Sequence, residues 1–453
     1  MSHSQPRPIP VGRANRAARL GGASLSIAGN MAVSGARELL SGRRPELRGL
    51  MLTPANIGRL TAELARMRGA AMKVGQLVSM DAGDVLPPEI ADIIARLRAD
   101  ADFMPPKQLR DVLDAEWGPG WMKRFQRFNV RPVAAASIGQ VHEAVDRDGR
   151  HLAIKVQYPG VKESIDSDVS NVGALVKVSG IVPSGIDLGP LLEEAKRQLH
   201  DEADYAREAR ELQRFGQWLA GDARFAVPDY AEEFSTDRVL AMSYLKGQPV
   251  EALEAAPQEE RDHVAATLFE LTLRELFEFG RMQSDPNFAN YRHDGARVLL
   301  LDFGAARAVP AEIAQGYRGM LAALMAGDRA GMDAAALVLG VYAPGTSEAH
   351  KTAILDLILR GRAGIGADGV FDFGNGALRR ELTEAGMRLA EDQAFLHLPP
   401  VETLYVQRKL AGMFLLASRL RARVNLAELF APWLGSGDAA GLGSVDEGAQ
   451  LSR

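Results

Sequence analysis

Three oxygen-bearing side chains crowd into one stretch of this chain. The segment QSDPNFANYRHDGARVLLLDFGAAR carries Asp285, then Asn290 five positions on, then Asp302 twelve positions after that, delivered at the end of the apolar run VLLL. A hard cation such as magnesium takes oxygen ligands and usually keeps only one or two from protein, leaving the rest to phosphate and water. Asp302 and Asn290 supply such a pair. Asp285 is then left to position or deprotonate an attacking hydroxyl or water. The tripeptide DFG recurs at residues 372–374, but in poorer company. It follows Gly364, Gly366 and Gly369, with no apolar strand before it and no Asp–Asn loop shortly upstream, so it reads as a turn between helices.

Further groups belong with the first set. Lys155 lies in LAIKV with its stem among apolar neighbours, and a lysine in that setting needs a buried partner such as a phosphate or a helix carboxylate. Upstream, AAASIGQVH puts Ala134, Ala135, Ala136 and Ser137 where a phosphate-binding loop would carry glycines; alanines lack the freedom to take positive φ, so the loop is stiffer. HDEADYAREARE, read as helix, places Asp204 and Glu208 one turn apart on one face, with Glu202 about 120° away. In AMKVGQLVSM, Lys73 and Gln76 share a helical face, and Gly75 leaves room for another backbone. The order D-x4-N, strand, DFG matches the protein-kinase pattern in kind.

These residues need elements to hold them. Apolar residues at helical spacing fill residues 53–80, Leu86-Pro87-Pro88 interrupts, and Pro88-Glu89 opens another helix. SIGQVHEAV and HLAIKVQY flank Asp148-Gly149 as a β-hairpin. A long helical pattern covers residues 191–219, RVLAMSYLKGQPV reads as a buried strand entering a loop, and helices dominate after Gln258 apart from residues 282–307. A strand-rich segment followed by a helix-rich one implies two lobes. The Gly-, Ser- and Ala-rich tail from Gly435 reads as disordered.

Composition narrows the function classes. With 453 residues, 47% hydrophobic and 25% charged, the chain suits two or three soluble domains. A net charge of −5 argues against a nucleic-acid partner, and the absence of cysteine excludes disulfides, thiolate metal sites and cysteine nucleophiles. No stretch reaches the roughly 20 apolar residues of a spanning helix. Residues 20–36 read either as a helix at a membrane surface or as a small-residue helix packed on the body. Arg7, Arg13, Arg16 and Arg19, with no acidic residue before Glu38, suit an organelle transit peptide or a basic arm drawn to anionic lipid.

Together the motifs resemble the UbiB family of atypical kinase-like proteins, also called AarF, and most of all its coenzyme Q branch. The family's K-x-G-Q stands here as Lys73, Gly75 and Gln76, its Ala-rich loop as residues 134–140, its E-x-D as Glu202 and Asp204, and its catalytic loop as QSDPNFAN. The resemblance implies an α+β, protein-kinase-like two-lobed fold with an N-terminal helical extension. Its divisions would be a basic arm (1–50), the extension (51–130), an N-lobe (131–245), a helical C-lobe (246–434) and a tail (435–453). It implies ATP and Mg2+ as cofactors, with Asn290 and Asp302 as metal ligands and Asp285 as catalytic carboxylate. Lys155 would meet the phosphates and pair with Glu208, Lys73 would meet the E-x-D carboxylates, and adenine would rest near Ser243, Tyr244 and Leu245. The arginine of H-R-D is missing, and no A-P-E follows the DFG. The expected function is therefore an atypical kinase or ATPase supporting ubiquinone biosynthesis. It would be cytoplasmic or in the mitochondrial matrix, peripheral on an anionic membrane, with ubiquinone precursors or biosynthetic enzymes as partners. A nucleotide-binding scaffold, or a protein kinase acting in trans, stands as the alternative.

Overall fold

A computed structural model describes residues 67, 69–71, 73–74, 103–178, 188–391 and 399–434. The readings of residues 1–50, of Gly75 and Gln76, of the Pro87–Pro88 break and of the tail lie outside them. The chain divides into two compact units, Met1–Gln213 with Pro228–Tyr244, and Arg214–Val227 with Leu245–Arg453.

The first unit is built on an antiparallel sheet. Its strands β1 (Phe125–Phe128), β2 (Ala134–Ala135), β3 (Gly139–Asp146) and β4 (His151–Gln157) are joined by the strand Val239–Ser243, which lies beside β4. The hairpin read from the sequence is present. Asp146 accepts from the amides of Asp148 and Arg150 at 3.0 and 2.8 Å, and Gly149 takes φ 86° in the turn. Side chains alternate across β4. Leu152, Ile154 and Val156 join a core with Trp121, Phe125 and Phe234, whose Phe125–Phe234 ring centroids lie 5.1 Å apart. Lys155 and Gln157 point to the opposite face, where Gln157 donates to Ala203 O at 2.7 Å.

One expectation is corrected there. The pattern over residues 191–219 is two helices, Gly189–Glu202 and Tyr205–Leu219, not one. Asp204 lies in the break and accepts from the Arg207 amide at 2.9 Å, an N-cap that starts the second helix. Glu202 and Glu208 therefore diverge because they sit on different helices, not because of their angle around a single one.

The second unit is mainly helical. Gln258–Phe277 is its central helix, packed against Val401–Leu420. A four-stranded sheet runs Phe225–Ala226, Val298–Leu300, Tyr291–His293, Gln248–Pro249, and two short pairs join Arg281–Gln283 to Ala306–Ala308 and Val370–Asp372 to Arg423–Asn425. The last pair corrects the reading of the second DFG, since a short strand does lead into Asp372. Among the described residues, no helix is long and apolar enough to cross a membrane.

Candidate active site

In the second unit a hairpin brings Asn290 beside Asp302. Tyr291–His293 runs antiparallel to Val298–Leu300 with Tyr291 opposite Leu300, and the Leu301 amide donates to Asn290 O at 3.0 Å. Asp302 follows at once. Asn290 donates through Nδ2 to Asp285 Oδ2 at 3.1 Å, which turns its carboxamide oxygen away from that carboxylate. Asp302 Oδ1 accepts from the Gly304 amide at 2.9 Å. The structure thus brings Asp285, Asn290 and Asp302 together.

The oxygen set fits a magnesium–nucleotide complex. Among the described residues no group of three or more His, Cys, Asp or Glu side chains could hold a metal alone. Asn290 and Asp302 offer the one or two protein oxygens that suffice when phosphate and water complete the shell.

Gln283 ties these residues into one frame, a role the sequence reading did not give it, where it stood as the first residue of the catalytic loop and at the place of the missing H-R-D. Its Nε2 donates to Asp302 O at 2.8 Å, and its Oε1 accepts from the Asp285 amide at 2.7 Å. Beside it, Ser284 Oγ donates to Ala305 O at 2.9 Å. The available signal was its place at the head of the loop motif QSDPNFAN.

Beneath this loop lies a buried ionic cluster of Glu275, Tyr291 and Lys409. Lys409 Nζ stands 3.1 Å from Glu275 and donates to the Tyr291 hydroxyl at 2.8 Å. Burial pushes the Glu275 carboxyl and the Tyr291 hydroxyl upward, against the pull of the Lys409 charge. Burial also works against charge on Lys409, but Glu275 and Tyr291 more than offset it, and the ammonium is held above the usual lysine range.

The first unit holds the cationic groups. Lys155 donates to both carboxylate oxygens of Glu208 at 2.8 Å, and its Nζ lies 5.3 Å from the centre of the Tyr205 ring. Strand β4, flanked by β3 and Val239–Ser243, fixes the lysine backbone, and the first turn of Tyr205–Leu219 fixes the glutamate. A second pair joins Lys73 to Glu202 at 2.5 Å, and Glu202 also accepts from Ser137 Oγ at 2.7 Å. Nearby, a Cβ on Gly69 would stand 3.0 Å from Ser137 O, so the helical segment around Lys73 lies directly on the Ala-rich loop. In that loop Ala134 and Ala135 form a strand paired with β3, and the Ala136 amide donates to Gly139 O at 2.8 Å. Asp204 is occupied as the helix cap, and among the described residues it is Glu202 that pairs with Lys73.

The strand end at Ser243 is partly committed. The amides of Ser243 and Tyr244 donate to Asp229 O and His151 O at 2.8 and 2.9 Å. Asp372, in contrast, sits exposed at a surface turn with Gln258, Arg261, Arg421 and Arg423 around it.

Residues 96–336, just over half of the chain, match the ABC1 atypical kinase-like domain. The atypical kinase COQ8, mitochondrial, of Saccharomyces cerevisiae is 36% identical over 93% of this chain and 85% of its own length. The atypical kinase COQ8B, mitochondrial, of Rattus norvegicus is 37% identical over 94% of this chain and 81% of its own. The solved structure of the Rv3197–erythromycin complex from Mycobacterium tuberculosis superposes with TM-score 0.59 at 26% identity, over 83% of this chain and 95% of that one. The chain belongs to the ABC1 atypical kinase-like family, the UbiB or AarF family that its motifs resemble.

Proposed function

We propose that this atypical kinase is an ATP- and magnesium-dependent phosphotransferase or ATPase that supports ubiquinone biosynthesis at a membrane surface. The observation that carries the chemistry is the hairpin that sets Asn290 beside Asp302 and bonds Asn290 to Asp285. When bound, magnesium neutralises charge developing on the transferred phosphoryl group. By the family likeness, Asn290 and Asp302 would hold that cation, Asp285 would orient the attacking oxygen and take its proton, and Lys155, fixed by Glu208, would meet the phosphate oxygens. Ser137 and the stiff Ala134–Ala135 strand would border the phosphates, while Lys73, held on Glu202, keeps its helical segment against that loop.

The ubiquinone assignment rests on the likeness to the coenzyme Q branch and on relatives named as COQ8 atypical kinases. Those relatives are named mitochondrial, which supports a mitochondrial place; a position at the inner face of a membrane rests on the family likeness alone. The basic residues before Glu38 would meet anionic lipid there.

ATP hydrolysis with magnesium and anionic phospholipid vesicles tests the chemistry. Asp302→Asn should reduce turnover by about 100-fold or more, the scale for loss of a charge-stabilising group, while Asp372→Asn should match wild type. Equal turnover in Asp302→Asn and wild type would refute the assignment. Accumulated quinone precursors in cells lacking the gene would test the pathway, and an unchanged quinone profile would remove it.

A further inference from the structure

The loop bearing Asp285 rests on a helix that lies outside the matched domain. Helix Val401–Leu420 presents Lys409 and Gly412 three positions apart, hence on one face. Lys409 Nζ donates to Gln283 O at 3.0 Å, and Glu275 Oε1 accepts from the Gln283 amide at 3.4 Å. Both backbone polar groups of Gln283 are thus held by an ion pair whose side chains are 1% and 0% exposed. Gly412 acts on the other side of Asp285. A Cβ there would stand 2.1 Å from Pro286 Cβ, so the helix backbone lies directly against the loop. From the same helix, the Tyr405 hydroxyl donates to Ala308 O, on the strand that follows the first DFG.

We infer that helix Val401–Leu420 is the positioning element for Asp285, with Lys409 and Gly412 as its positioning residues. Lys409 sets the height of the loop at Gln283, and Gly412 permits the closest approach at Pro286, the residues flanking Ser284 and Asp285. The inference rests on the reading of Asp285 as catalytic carboxylate and adds residues that the matched domain does not contain. Stability alone does not call for the ion pair, because buried pairs are commonly replaced by apolar residues at no cost. A fixed loop position does call for it.

The full-length chain with Gly412→Ala tests this, alongside the neutral double variant Lys409→Met/Glu275→Gln and the exposed-face control Leu415→Ala. Alanine is the better helix former, yet its Cβ would push Pro286 by more than about 1 Å to reach ordinary contact. A misplacement of that size costs on the order of 100-fold in rate. Each variant is measured for melting temperature, for sites titrated by a non-hydrolysable ATP analogue, and for kcat and KM per titrated site. The expected result is a folded Gly412→Ala with kcat per site reduced by about 10- to 100-fold and KM nearly unchanged. The double variant should show the same loss, and Leu415→Ala none. Because rates are read per nucleotide-binding site, partial misfolding of one variant does not mask the result. Wild-type kcat per site in Gly412→Ala or in the double variant would overturn the inference. A wild-type chain that binds nucleotide but never turns it over would instead overturn the reading of Asp285.

Discussion

The Lys155–Glu208 pair offers a test in which stability and activity should part company. Its side chains are 9% and 1% exposed, and both carboxylate oxygens lie 2.8 Å from the ammonium. Lys155→Met removes one charge and leaves the Glu208 carboxylate with two fewer charged bonds in a desolvated place. Breaking a buried pair from one side costs about 3–5 kcal/mol. Lys155→Met/Glu208→Gln removes both charges while keeping the volumes, and uncharged replacements of a buried pair are often neutral or stabilising. The double variant should therefore recover most of the lost stability, giving a coupling energy above about 2 kcal/mol.

Activity should not follow. A methionine cannot hold phosphate oxygens, so single and double variants alike should lose about 100- to 1,000-fold in ATP turnover, the scale for one preorganised electrostatic donor. Urea unfolding followed by tryptophan fluorescence reads the first quantity, since Trp117 and Trp121 lie in the core on the other face of this sheet. A magnesium-dependent ATPase assay on folded protein reads the second. Wild-type turnover in the double variant, or a Lys155→Met chain as stable as wild type, would refute the reasoning.

Two further outcomes concern the first unit. Burial holds the His142 ring near pH 4 against an ordinary 6.5, so between those values the unfolded chain takes up a proton that the folded chain refuses. Stability should fall as pH drops from 6.5 to 4, by on the order of 3 kcal/mol, and a His142→Gln variant should show a flatter profile in pH-dependent urea melts; parallel profiles would remove the histidine as the cause. Gly139→Ala places a Cβ 2.5 Å from Val156 O, a backbone atom that cannot rotate aside. It should cost about 1–3 kcal/mol of thermal stability, and an unchanged melting curve would show that the two strands lie farther apart than described.

The two DFG copies show why part of the site was legible and part was not. Each makes the same side-chain bond, with the aspartate Oδ1 accepting from the glycine amide at 2.9 Å in one and 2.8 Å in the other. The tripeptide alone therefore specifies a turn, and only its company distinguishes a metal ligand. That company is local for Asp302. A hairpin of a dozen residues carries Asn290 back beside it, and hairpins are written in short-range alternation and turn residues. The strand before Asp372 was missed because its partner, Arg423–Asn425, lies far downstream. The break at Ala203–Asp204 was missed for a different reason. HDEADYAREARE favours helix on both sides, and an aspartate that caps one helix looks the same in sequence as one lying on the face of a longer helix. Lys409 was the least accessible of all. In YVQRKLAGM a lysine beside an arginine reads as a solvated face, yet it is 1% exposed, and its partners Glu275, Gln283 and Tyr291 all lie more than a hundred residues upstream. No short-range pattern encodes such a pairing. The candidate metal ligands Asn290 and Asp302 are spaced by one hairpin, whereas the residues that hold this loop still are chosen by whichever distant helix the core brings underneath. A reading from motifs will therefore find the ligands first and the supports last, and substitutions at the supports are where motif-based expectation and measured activity should diverge most.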